Sequence, residues 1–158
     1  MSRSKKVRKR PAEQDILYNN RLLNRFINQV MKDGKKTVAQ ALVYKALDNV
    51  KSKEHDPIKV FETALRNIGP RMEVRSRRVG GASYQVPTEV RGDRRISLAI
   101  RWIIAAAKKR SSKDYRSFDQ KLSAEFLDAA NNEGEAIRKK NLVHKMAESN
   151  RAFAHFRW

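Results

Sequence analysis

Arg94, Arg101 and Lys108 recur at intervals of seven residues, and no acidic residue falls between Arg94 and Arg110. On a helix of 3.6 residues per turn, that spacing stacks the three cations along one face. Lys109 and Arg110 extend the charge at its end. A solvated helix face normally mixes signs, so a face of one sign points to a polyanion. A second basic set, Arg75, Arg77 and Arg78, lies upstream, with Arg91 between it and the seven-residue series and Arg95 directly after the first member of that series. Lys35 and Lys36 form a third set where a helix is expected to begin. Cations oppose the positive end of a helix, and a bound phosphate would relieve them. The first ten residues form a fourth, in which Arg3, Lys5, Lys6, Arg8, Lys9 and Arg10 stand without a single acid. The chemistry these residues offer is phosphate neutralisation.

Other chemistry is thinly represented. His55, His144 and His155 are scattered without metal-ligand spacing, and cysteine is absent. No phosphate-cradling glycine loop and no nucleophile elbow occurs. The expectation is a binding protein with no catalytic residues, no metal and no cofactor. Across 158 residues, 36 Lys and Arg stand against 17 Asp and Glu, a net charge of +19. Hydrophobic residues make up 40%, enough for a core and too many for a disordered polycation. Charge of this size opposes compaction unless a polyanion neutralises it. Nucleic acid is the leading partner and an anionic membrane surface the runner-up. No apolar run approaches the ~20 residues that span a bilayer, and no signal peptide is expected.

The elements that must position these cations are mostly helical. The exception is 71–91, where Val74, Val79, Tyr84, Val86 and Val90 flank Gly80 and Gly81, the sole adjacent glycines of the chain. Two extended runs about a glycine pair read as a β-hairpin. Eight residues of strand at ~3.3 Å each reach ~26 Å, long enough to enter a nucleic-acid groove. A two-residue loop sets Arg75 opposite Val86 and Arg77 opposite Tyr84. A three-residue loop, Val79 to Gly81, sets Val74 opposite Val86 and Ser76 opposite Tyr84. The second gathers the apolar side chains on one side, and on that ground it is the expected register.

Six helices surround the hairpin. The first is expected over about Asn20 to Lys32, with Leu23, Phe26, Ile27, Val30 and Met31 inward and Asp33-Gly34 as its stop. The second turns Val38, Ala41, Leu42, Ala46 and Val50 inward. Asp56 and Pro57 open the third, lined by Phe61, Ala64, Leu65 and Ile68 and stopped at Gly69-Pro70. Asp93 is expected to cap the fourth, whose inner face is Ile96, Ala99, Ile100, Ile103 and Ala107. Trp102 borders that stripe and reads as core or rim packing. The fifth holds Tyr115, Phe118, Leu122, Phe126 and Ala129. The sixth holds Ile137, Val143, Met146 and Ala147, with Arg138, Lys139 and Lys140 near its start. The domain plan is a basic flexible arm over 1–12, a single helical domain over 13–150, and an aromatic, basic tail over 151–158. In that tail, Phe153, His155, Phe156 and Trp158 stand beside Arg151 and Arg157, suited to stacking on bases, to a protein partner, or to folding back on the chain.

Four separated motifs resemble one family. Asp33-Gly34-Lys35-Lys36, the run Ser76 to Pro87, Arg101-Trp102, and the closing Met146-Ala147-Glu148 with Ala152-Phe153-Ala154-His155 are similar, in order and spacing, to the S seven family of small-subunit ribosomal proteins. The resemblance covers essentially the whole chain. It implies six helices with a β-hairpin between the third and fourth, and a structural role in the small ribosomal subunit of the cytoplasm or of an organelle. It further implies binding to the three-prime major (head) domain of small-subunit ribosomal RNA, early in head assembly. The implied RNA contacts are the basic arm, Lys35, Lys36, Arg75, Arg77, Arg78, Arg94 and Arg95. The hairpin tip, Val79, Gly80, Gly81 and Ala82 with Tyr84, is implied to lie near messenger RNA and exit-site transfer RNA. The last helix and tail, with Arg138, Lys139, Lys140, Arg151, Phe153 and Trp158, would face the decoding path and the eleventh small-subunit protein; the ninth is a further implied neighbour. The rival class, a DNA-architectural protein with a β-arm in the minor groove, would want an apolar wedge at the tip, and Gly80-Gly81-Ala82 supplies none.

Overall fold

The computed structural model describes residues 13–52 and 56–156. The basic arm with Lys5, Lys6, Arg8, Lys9 and Arg10, together with His55, Arg157 and Trp158, lies outside the described residues. Six α-helices run in chain order: α1 (Arg21–Val30), α2 (Lys36–Lys51), α3 (Pro57–Ile68), α4 (Gly92–Lys109), α5 (Phe118–Ala130) and α6 (Gly134–Ser149). Strands β1 (Met72–Val79) and β2 (Ala82–Glu89) form an antiparallel hairpin between α3 and α4, and a 3₁₀ helix over Arg151–Phe156 ends the described chain. The mainly helical fold with an inserted β-hairpin is therefore the one expected.

The core is built around α5, which packs on α2, α3, α4 and α6. At its centre Phe26, Phe61 and Phe126, one each from α1, α3 and α5, are fully buried. Their ring centroids stand 5.5, 5.5 and 5.6 Å apart. Tilted and edge-on pairs of this kind add about 0.5–1.5 kcal/mol each beyond burial. Asp56 caps α3 as expected, its carboxylate accepting from the Ile58 and Lys59 amides.

Several boundaries and faces differ from expectation. Helix α1 stops at Val30; Met31 is extended, and Gly34 (φ +73°) turns the chain into α2 without capping α1. Helix α2 buries Ala39, Val43, Ala46, Leu47 and Val50, while Val38 and Ala41 are exposed. Two apolar stripes run one residue apart along this helix, and the inner one follows the 4-3-1-3 spacing of a single face. Helix α4 begins at Gly92 with Arg91 at its N-cap, so Asp93 lies in the first turn and makes no side-chain cap. Tyr115 precedes α5, its ring under the Arg110 guanidinium at 5.5 Å. Met146, expected inside, is 48% exposed.

The hairpin register is the two-residue one. Arg75 pairs with Val86, Arg77 with Tyr84, and Val79 with Ala82, so the three-residue loop is overturned. Gly80 (φ +56°) and Gly81 (φ +90°) both occupy left-handed backbone. That is the signature of the tight turn whose twist matches the two strands.

Candidate nucleic-acid interface

The basic residues converge where the hairpin base meets the start of α4. Glu73 in β1 organises this junction. It is 7% exposed. Its Oε1 accepts from Arg75 Nε at 2.7 Å and Nη2 at 2.6 Å, while Arg94 Nε donates to both carboxylate oxygens at 2.8 Å. Burial pushes the Glu73 carboxyl up, but hydrogen bonds and charge from Arg94 and Arg75 outweigh it and hold the group below the usual carboxylate range. Arg94 sits in the first turn of α4, where a helix disfavours cations, and Glu73 compensates. The carboxylate is built into the junction, yet both arginine side chains remain about half exposed, at 54% and 51%.

Two clefts adjoin this junction. One is lined by Arg75, Thr88, Glu89, Arg91 and Arg94. The other is lined by Arg25, Arg91, Gly92, Asp93, Arg94, Ser97 and Arg101. Arg91 and Arg94 form the wall they share. Arg25 of α1 donates through Nη2 to the Asp93 carbonyl and the Ser97 hydroxyl, which brings α1 against the start of α4. Among the described residues no side-chain hydrogen bond caps α4, and a helix start beside these arginines suits phosphate. Further along α4, Arg101, Lys108 and Lys109 are exposed as their spacing predicts.

Other expected contacts stand apart. Arg95 is half-buried and donates to the Gly69 carbonyl at 3.1 Å, bracing the α3–hairpin turn. Arg77 and Arg78 are exposed on the distal half of β1. Lys35 and Lys36 are exposed at the start of α2, which no side chain caps. Arg110 turns inward: Nε and Nη2 reach Glu125 Oε2 at 2.8 and 2.6 Å, and Nη2 also contacts Asp128. Glu125 is fully buried. Its other oxygen accepts from the Ala136 amide at the start of α6, at 3.1 Å. A Cβ on Gly134, where φ is +88°, would come within 3.1 Å of that oxygen.

On α6, Arg138 and Lys139 are exposed, while Lys140 donates to the Asn67 carbonyl at 2.9 Å. At the hairpin tip Gly80, Gly81 and Ala82 are exposed and Val79 is half-buried. Tyr84 is half-buried against Phe153 and Phe156, so the tail folds back onto the hairpin; Arg151 is exposed beside it. The imidazole of His144 accepts from the Arg71 amide at 3.1 Å, joining α6 to the hairpin base.

Sequence reasoning missed Glu73, Arg25, Glu125 and His144. Glu73 had a signal, since it lies two residues before Arg75 and so on the same strand face. The other three depend on contacts between distant elements. Among the described residues no group of His, Asp or Glu could hold a metal ion, and no helix is long and apolar enough to cross a membrane.

The family model described as ribosomal protein S7p/S5e matches residues 2–151. Curated relatives named small ribosomal subunit protein uS7 align over the full length of both chains. That of Xanthobacter autotrophicus is 55% identical, that of Azorhizobium caulinodans 53%, and that of Desulfitobacterium hafniense 51%. With a family match spanning nearly all of the sequence and relatives more than half identical end to end, this chain belongs to the S7p/S5e family of ribosomal proteins, structural components of the translation machinery and not enzymes.

Proposed function

We propose that this protein is an RNA-binding constituent of the small ribosomal subunit, acting in the cytoplasmic ribosome. Its RNA is the three-prime major (head) domain of small-subunit ribosomal RNA, and its binding nucleates assembly of that domain. The observation that supports this reading best is the pair of arginine-lined clefts at the hairpin base, continued by the exposed Arg101, Lys108 and Lys109 of α4. Such a surface suits phosphate and shape contacts with structured RNA. Lys35 and Lys36 at the uncapped start of α2, and Arg77 and Arg78 on the arm, extend it. The basic residues of 1–12 add further positive charge. Arg95, Lys140 and Arg110 serve the fold first, since each is bonded to another element of the chain.

The hairpin tip, Tyr84, the exposed Arg138 and Lys139 of α6, and the tail from Arg151 onward fit a position near messenger RNA and exit-site transfer RNA. The ninth and eleventh small-subunit proteins are the neighbours this placement implies. The test is competition binding of a transcribed head-domain RNA against duplex DNA across a salt series. The expected slope is about 0.7–0.9 log units per neutralised phosphate, with about six to eight contacts. Equal affinity for DNA, or a slope near one contact, overturns the reading.

A further inference from the structure

We infer that Glu73 is a positioning residue for RNA binding: it holds Arg75 and Arg94 as one preorganised fork for a single RNA phosphate in the cleft they line with Thr88, Glu89 and Arg91. This inference rests on the RNA-binding reading and assigns its strongest local contact. Glu73, bonded to two arginines of a cleft that already holds Glu89, is at first sight a liability, because a carboxylate repels the phosphates the cleft should attract. Its geometry argues otherwise. Glu73 bonds the inner edges of both guanidinium groups, through Nε and Nη2 of Arg75 and Nε of Arg94. Both side chains line the cleft and are about half exposed, at 54% and 51%. The cleft beside them has a volume of about 480 Å³, ample for a phosphate group with its sugar.

The two arginines belong to different elements, β1 and α4, and the shared carboxylate ties their heads together. A free arginine loses rotamer entropy when it is immobilised on a ligand. Here the hydrogen bonds to Glu73 already restrain both heads before RNA arrives. Planar guanidinium forks bind phosphate in a bidentate way when so oriented.

Electrostatics and positioning predict opposite signs, which makes the test clean. Glu73→Gln makes the cleft one unit more positive, so a merely attractive surface binds RNA more tightly. A lost positioning residue weakens binding instead. Affinity for the transcribed head-domain RNA should fall about tenfold in Glu73→Gln, the equivalent of one charge-assisted hydrogen bond. Far-ultraviolet circular dichroism should be unchanged. Arg94→Lys keeps every charge and removes the fork, so it should also weaken binding, and it decides the matter if Glu73→Gln does not fold. Tighter or equal binding by a folded Glu73→Gln, or wild-type affinity in Arg94→Lys, overturns the inference. A wild-type protein that does not prefer this RNA to duplex DNA overturns the underlying reading before any variant is compared.

Discussion

The ring of Tyr84 in β2 lies 5.0 Å from that of Phe156 and 5.3 Å from that of Phe153, so the end of the described chain clasps the distal half of the hairpin arm. Two strands alone are marginally stable, and this arm has helices only at its base. The 3₁₀ helix supplies packing that the arm otherwise lacks. His155 lies against Phe156, with ring centroids 4.0 Å apart and planes tilted by 44°.

Replacing Phe153 and Phe156 together by alanine should therefore loosen the arm and spare the domain. At about 0.5–1.5 kcal/mol per aromatic pair, hydrogen exchange of amides near Arg77 and Tyr84 should accelerate about tenfold or more. Amides of α3 and α5 should keep their protection. Uniform acceleration across the molecule would show that the clasp stabilises the whole domain, and no acceleration would show that the arm stands alone.

Arg110 closes the charge series of α4 in the sequence, but its place is inside. Its guanidinium partners the fully buried Glu125 carboxylate, which in turn accepts from the Ala136 amide in the first turn of α6. Removing one partner of a buried pair leaves an uncompensated charge and costs about 3–5 kcal/mol. Arg110→Ala should lose stability on that scale in chemical denaturation, whereas Lys108→Ala, fully solvated on the same helix, should lose almost none. For head-domain RNA affinity the order should reverse. An Arg110→Ala protein of wild-type stability would refute the structural assignment.

Acidification should weaken the join between α6 and the hairpin base. Burial first, then the charges of Lys140, Arg71 and Arg95, hold the His144 imidazole below its ordinary 6.5. The folded state thus binds fewer protons than the unfolded chain, and stability falls as pH drops from 6.5 through the folded value. Protonation also removes the acceptor that receives the Arg71 amide. His144→Asn should flatten the pH dependence of melting temperature below pH 6.5. Glu73, also held below its usual range, loses its contribution only at lower pH, beneath 4.5. An unchanged slope in the variant would place the titration elsewhere.

The arm, the cationic face of α4 and the two glycines were legible because each is a local property of residue type and spacing. The register was not, for a physical reason. The expected pairing assumed one buried face, yet the adjacent residues Val86 and Pro87, which point to opposite sides, are both buried. With both faces of the arm's base covered, alternation cannot choose, and the left-handed glycine pair does. The inner face of α2 failed similarly, since Val38 and Ala39 start rival stripes and the neighbouring helices select one. Glu73 and Glu125 are carboxylates buried by partners 21 and 15 residues away, a pairing that spacing along one element does not disclose.

The hairpin should divide into two functional halves. Its base belongs to the arginine clefts: Arg75 is tied through Glu73 to Arg94, and Arg91 lines both clefts. The tip is chemically different. From Val79 to Gln85 there is no charge, so it has little to offer a phosphate. Gly80 and Gly81 have open space around their Cα atoms, which permits close approach of another backbone. The clasp of Phe153 and Phe156 on Tyr84 marks the border, because it holds the arm beside the last turn. Shortening Val79–Ala82 by two residues should thus leave head-domain RNA affinity and subunit assembly near normal. Retention of exit-site transfer RNA, or maintenance of reading frame, should suffer. Arg75→Ala combined with Arg77→Ala should do the reverse, costing RNA affinity by about 1 kcal/mol or more per lost contact. Filter binding and a frameshift reporter on both variants measure the two halves separately. If shortening the tip abolishes RNA binding as fully as the arginine changes do, the arm is a single anchor, and the boundary at Tyr84 has no functional meaning.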